Sequence, residues 1–289
     1  MDGDRVGREY LSHLTDADLR LLASVSGVRV DAAELRRDPG RVMELFEHPR
    51  VFGAVFGEAA ASSGLIAVSP FLAFAVLVHR AAAALAAMTH LPERSGPRQR
   101  IPVFDAPQLR DFLDAPQRRL FLAELLASFT RVASGRYQVR GSGGRVRIRQ
   151  YNELDPVRLA GLLDAVPTAE QPGVYRRLGD VALFLTGVFP DYTTTNAFGP
   201  VQVERLLRVA TGPVDRSEHP GAAPAVDLLE RLGTNWYRTA YRLTPTRTAR
   251  LTVVAEVAER FSHARRVLNH IADRYLFPST NPWLARPSG

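Results

Sequence analysis

The chain contains no cysteine and no lysine. Without cysteine there is no thiolate nucleophile, no Cys-ligated zinc, no iron–sulfur cluster and no disulfide. Without lysine there is no Schiff-base or pyridoxal-phosphate anchor, no P-loop lysine and no kinase strand lysine. All 37 basic residues are arginine, a bias that the Arg-rich codon usage of a GC-rich bacterial genome produces. Freedom from cysteine suits a reducing cytoplasm. The start, Met1-Asp2-Gly3-Asp4-Arg5, is acidic and polar with no apolar run behind it, unlike a signal peptide.

Other chemical signatures are missing too. There is no G-x-S-x-G elbow, no dinucleotide-binding glycine fingerprint and no HExxH. On a helix, His79 and His90 stand about 16 Å apart and His263 and His270 about 10 Å, so neither pair shares one ion. Glu44 with His48, and Glu259 with His263, have i,i+4 spacing, which surface helix pairs use routinely. No metal and no cofactor are expected, and whether the chain is an enzyme stays open.

Long apolar runs are scarce. The longest segment, Leu65 to Met88, is interrupted by His79-Arg80. A central arginine costs about 2.5–3.5 kcal/mol in a bilayer, and the uninterrupted part is too short to span one. A buried helix is expected there, without membrane insertion.

With 289 residues, 46% of them hydrophobic and 23% charged, the chain can bury a large core. The pattern predicts a mainly α fold: a large multi-helix bundle with one basic β-hairpin, as a single helical domain over 1–289. The alternative is two lobes, 1–134 and 152–289, joined at a hairpin 136–150. Helices are expected near 16–26, 39–47, 49–57, 69–90, 106–114, 116–134, 155–165, 173–187, 199–210, 225–243 and 246–276. Capping residues followed by proline mark many starts: Asp38-Pro39, Ser69-Pro70, Asp155-Pro156 and Gly199-Pro200. Asp105-Ala106-Pro107 and Asp114-Ala115-Pro116 repeat the theme, and each aspartate is expected to cap a helix. Segments 91–104, 211–224 and 277–289 read as irregular.

Charge is concentrated. From Leu125 to Asn152, 28 residues carry six arginines and no acid. Removing those six from the 37 leaves 31 basic residues against 30 acidic ones, so this stretch supplies most of the net +7. Arg136 to Arg140 and Arg145 to Tyr151 alternate with period two around Gly141-Ser142-Gly143-Gly144, as a hairpin does. The expected underside is Tyr137, Val139, Val146 and Ile148. The expected outer face is Arg136, Arg140, Arg145, Arg147 and Arg149, with Arg94, Arg98 and Arg100 nearby. Guanidinium forks match phosphate oxygens, so DNA or RNA is the candidate partner. Two helices followed by a Gly-tipped hairpin also have the order of a winged helix-turn-helix, but Leu120, Phe121, Leu122, Leu125, Leu126 and Phe129 make the second helix too apolar for a groove.

A second candidate surface is a small-molecule pocket built from segments 173–196 and 233–241. Its polar groups would be Arg176, Asp180, Asp191, Tyr192, Trp236, Tyr237 and Tyr241. Leu178-Gly179-Asp180, Ala182-Leu183-Phe184, Gly187, Phe189-Pro190, Gly233 and Tyr237 to Tyr241 resemble an uncharacterised bacterial protein family over residues 173–243, a resemblance that implies no activity. The leading expectation is a cytoplasmic protein that binds nucleic acid by phosphate contacts, largely independent of sequence. The alternatives are a small-molecule-binding protein or enzyme, and a protein–protein adaptor using the hairpin and the Trp283 tail.

Overall fold

A computed structural model describes residues 2–27, 31–57, 68–94, 100–140, 146–195, 198–211 and 225–277. The fold is mainly α, with two small antiparallel hairpins. It divides into two compact units: Met1–Thr130 with Arg266–Gly289, and Arg131–Arg265.

The first unit is built around α6 (Pro70–Leu85). Ser69 starts it by accepting the Leu72 N–H at 3.1 Å, with Pro70 at the first helical position. Phe71, Leu72, Ala75, Val76, Leu77, Val78, Ala81 and Leu85 are buried on this helix. Among the described residues, five short helices precede it: α1 (Asp2–Leu11), α2 (Asp16–Ser26), α3 (Ala32–Arg37), α4 (Pro39–Glu47) and α5 (Pro49–Phe56). Behind it come α7 (Ala106–Asp114) and α8 (Pro116–Ser128). Leu120, Phe121, Leu122, Leu125 and Leu126 of α8 are buried, and α8 packs on α6, so it is a core helix and not a groove reader. Arg118 and Arg119, in the first turn of α8, donate to the Phe112 and Leu113 carbonyls at 2.5 and 2.6 Å, capping the end of α7. Among the described residues no helix is long and apolar enough to cross a membrane.

Asp18, His79 and Arg266 are buried polar residues of this unit. His79 is buried on α6, its Nδ1 2.8 Å from the Ala75 carbonyl and its ring 5.2 Å from that of Phe46. Burial, reinforced by the Arg119 charge, lowers its pKa from 6.5 to about 3. His79 therefore stays neutral in the folded protein, while the unfolded chain takes up a proton near pH 6.5. Stability is full above pH 6.5 and falls as the pH drops towards 3, by up to about 1.4 kcal/mol per pH unit. Urea unfolding at pH 7, 6, 5 and 4 checks this: His79→Leu should flatten the profile, and an unaltered slope would contradict the assignment.

The second unit contains β3 (Ser134–Arg140), β4 (Val146–Asn152), α9 (Pro156–Ala160), α10 (Gln171–Val188), α11 (Pro190–Thr195), α12 (Pro200–Thr211), α13 (Ala225–Leu243) and α14 (Ala249–Glu259). A 3-10 turn, Gly161–Asp164, follows α9. Its main helix pair is α10 against α13. Glycines bring those helices together: a Cβ on Gly179 would lie 2.4 Å from the Tyr237 ring, and one on Gly233 2.9 Å from the Ala182 Cβ.

Several expectations change. The segment 91–104 forms a second hairpin, β1 (Leu91–Arg94) with β2 (Arg100–Val103), pairing Leu91 with Val103 and Arg94 with Arg100. The expected single helix 246–276 is α14, then α15 (Phe261–Ile271) and a π-turn over Ala272–Leu276. The break falls at Arg260, whose φ of −122° and ψ of 34° leave the helix. The apolar period runs through it unchanged, from Val257 to Phe261 and Ala264, so the sequence reads as one helix. Asp38 and Asp155 cap as expected, the latter accepting the Val157 and Arg158 N–H groups at 3.0 and 3.1 Å. Asp105 does not cap α7: Arg266 takes its carboxylate instead, with Nη2 2.7 Å from Oδ1. At α8 the cap position belongs to Ala115, not Asp114.

Candidate nucleic-acid interface

The β3–β4 ribbon is the hairpin that alternation predicts, but its register redistributes the faces. Arg136 pairs with Gln150, Tyr137 with Arg149, Gln138 with Ile148, Val139 with Arg147 and Arg140 with Val146. Residues opposite one another in an antiparallel pair share a face. Tyr137 therefore shares its side with Arg149, and Ile148 shares its side with Gln138 and Arg136. The expected face of five arginines over four apolar residues does not form. Alternation fixes each strand's two sides, and only the register decides which sides coincide; a shift of one residue inverts the match.

Burial shows which side faces the body. Tyr137 and Arg149 are half-buried, while Arg136, Gln138, Ile148 and Gln150 are exposed. Tyr137 is the anchor. Its hydroxyl sits where a Cβ on Gly161 would be 2.5 Å away, so only glycine at the 3-10 turn admits it. Arg149 Nη1 is 3.6 Å from Asp164 Oδ2, an exposed pair worth little. The Tyr151 ring lies over Gly135, its cross-strand partner, and fills the gap that a missing side chain leaves.

The base of the ribbon is clamped by the first acid after the acid-free run. Glu153 Oε2 accepts the Ala133 N–H at 2.9 Å, and the Glu153 N–H donates to the Ala133 carbonyl at 3.1 Å. Arg177 of α10 donates to the same Oε2 at 3.1 Å, and its other nitrogen is 3.9 Å from Asp180 Oδ2. Tyr237 of α13 donates to Asp180 Oδ1 at 2.8 Å. Glu153 is thus engaged with Arg177 and a backbone amide.

The predicted site residues separate accordingly. Arg136 is exposed and has no ion-pair partner among the described residues; Arg131, just ahead of β3, is the same. Arg140 and Arg147 are placed by the backbone register alone. Arg145 and Arg98 lie outside the described residues. Arg100 belongs to the other unit, 3.4 Å from Asp273. Of the pocket candidates, Asp180, Trp236 and Tyr237 are buried. Burial pushes the Asp180 carboxyl up, against the pull of Arg176, the Tyr237 hydrogen bond and Arg177. The Tyr237 phenol is held well above its usual range, first by burial and then by Asp180. Arg176 is half-buried, and Asp191 and Tyr192 are exposed on α11. Tyr241 is half-buried, with the Arg247 guanidinium 4.0 Å from its ring centre. The Tyr237 ring lies against Gly179, and the Phe261 ring against Gly233. Among the described residues no group of three His, Cys, Asp or Glu side chains is placed to hold a metal.

Sequence reasoning missed Gly161, Glu153 and Arg177. Glu153 had a readable signal, as the residue that ends the acid-free run. Gly161 and Arg177 act through distant partners and had none.

These features define a mainly α protein with a basic two-stranded ribbon anchored by an aromatic ring and clamped at its base. Compared with protein-family models, with curated proteins and with solved structures, the chain matches none.

Proposed function

We propose that the protein binds nucleic acid through the exposed side of the β3–β4 ribbon, holding phosphates with arginine and reading little sequence. The observation that carries this reading is the acid-free run from Leu125 to Asn152, in which Arg131 and Arg136 are exposed without a carboxylate partner among the described residues. Unpaired guanidinium groups on a ribbon attract a polyanion and can grip its phosphates in forked hydrogen bonds. Gln138 and Gln150 add amide donors on that side. Ile148, 68% exposed, adds an apolar patch that a sugar or base can cover. Freedom from cysteine suits action in the cytoplasm.

The register lowers the expected number of phosphate contacts. Arg136 and, by backbone register, Arg140 belong to one side of the ribbon, with Arg131 just ahead of it, while Arg149 belongs to the other, half-buried side. Two or three neutralised phosphates give a slope of about −2 to −3 for log K against log salt on duplex DNA. Fluorescence anisotropy with random duplex DNA, single-stranded DNA and RNA at several salt concentrations measures it. A slope near zero, or no binding at low salt, contradicts the proposal.

A further inference from the structure

We infer that a second anion site, for a small organic phosphate, lies in the concavity between α2 and α3 of the first unit. The concavity measures about 440 Å³ and is lined by Asp16, Arg20, Ala32, Ala33, Arg36 and Arg37. Helical spacing assembles it. Asp16 and Arg20 are one turn apart on α2; Ala32 with Arg36, and Ala33 with Arg37, are one turn apart on α3. Three arginines and a single aspartate therefore line one hollow. That carboxylate is committed: Asp16 Oδ1 is 2.6 Å from Arg36 Nη2. Arg20 and Arg37 are exposed and have no ion-pair partner among the described residues.

The other acids on α3 are engaged in its cap. Asp31 Oδ1 accepts the Glu34 N–H at 2.7 Å, and Glu34 Oε2 accepts the Asp31 N–H at 3.3 Å. The helix start is thus filled by its own residues, and the attraction for an anion comes from the arginine side chains. The hollow carries a net charge of two positive units. A phosphate group carries close to two negative ones and offers three oxygens to several forks at once, which a carboxylate cannot. The volume lies within the range of small-molecule sites and far exceeds a bare ion. Ala32 and Ala33 leave a low apolar wall where a ring or sugar attached to the phosphate can lie. The ligand class is therefore a phosphomonoester with a compact organic group.

Isothermal titration of the full chain with phenyl phosphate, benzoate and inorganic phosphate tests this. Phenyl phosphate should bind saturably, at least about tenfold tighter than benzoate, and tighter than inorganic phosphate. The double variant Arg20→Ala/Arg37→Ala should weaken phenyl phosphate at least about tenfold, with an unchanged melting profile because both side chains are exposed. Asp16→Asn frees Arg36 and should tighten binding. The ribbon variant Arg136→Ala/Arg140→Ala should leave it unchanged, which separates this site from the nucleic-acid surface. No saturable binding, equal affinity for benzoate, or binding indifferent to Arg20 and Arg37 overturns the inference.

Discussion

Replacing Arg266 by methionine should lower the unfolding free energy by about 3 kcal/mol, at the low end of the range for breaking a buried ion pair. Arg266 is 8% exposed. Its Nη1 lies 2.6 Å from Glu93 Oε2 on β1, and its Nη2 donates to Asp105 Oδ1 at 2.7 Å at the start of α7. One guanidinium thus ties three parts of the first unit, distant in sequence, at one point. Methionine keeps most of the side-chain volume but removes the guanidinium that bridges the Glu93 and Asp105 carboxylates. The loss comes mainly from removing the charge between two partly buried acids, so the combination of substitutions matters. Adding Glu93→Gln and Asp105→Asn to Arg266→Met should recover part of the stability, because the two acidic charges are then removed together with the guanidinium. Urea unfolding of the single and triple variants decides it. A single variant within about 0.5 kcal/mol of the parent, the usual effect of a surface change, would show that the cluster carries no such weight.

Tyr237→Ala should cost about 3–5 kcal/mol, the range for deleting a buried aromatic ring. The ring is fully buried and rests on Gly179, and its hydroxyl is the donor to Asp180. Tyr237→Phe isolates the second role and should cost about 1–3 kcal/mol, because it leaves a buried carboxyl without its hydrogen bond. Gly179→Ala places a Cβ 2.4 Å from the ring and should cost about 1–3 kcal/mol by overpacking. In the Tyr237→Ala background the same substitution fills vacated space and should be close to neutral. The two changes should therefore couple by at least about 1 kcal/mol in a double-mutant cycle. Additive effects would mean that the ring and the glycine do not form one contact.

Much of the helical architecture is legible because its punctuation is local. A capping side chain and a proline at the first helical position set the starts of α4, α6 and α9 within a few residues, and no tertiary information is needed. The same rule failed at Asp105, where a partner 161 positions away claimed the carboxylate. The β1–β2 hairpin escaped notice because Pro92 and Pro102 lie within it, and proline usually speaks against a strand. α1 escaped because its sequence is polar, with Gly3 and Gly7 inside it, and the gain from burying Tyr10 is invisible locally. The ribbon shows the limit most clearly. Its strands, its loop and its charge were readable from residue order. Which arginines share a side depends on the register between strands, and alternation alone does not supply that.

On the function we propose, the exposed side of the ribbon, carrying Arg136 and by register Arg140, holds nucleic-acid phosphates, while Arg149 on the anchored side does not. The direct measurement compares duplex-DNA affinity and its salt dependence for the parent, Arg136→Ala/Arg140→Ala and Arg149→Ala. The double variant should bind at least about tenfold more weakly, and its slope should fall by nearly 2, about 0.9 for each phosphate released. Arg149→Ala should stay within about twofold of the parent, because its partner is Asp164 at 3.6 Å. An unchanged affinity and slope for the double variant, or a larger loss for Arg149→Ala, would show that the exposed side of the ribbon does not hold the phosphates.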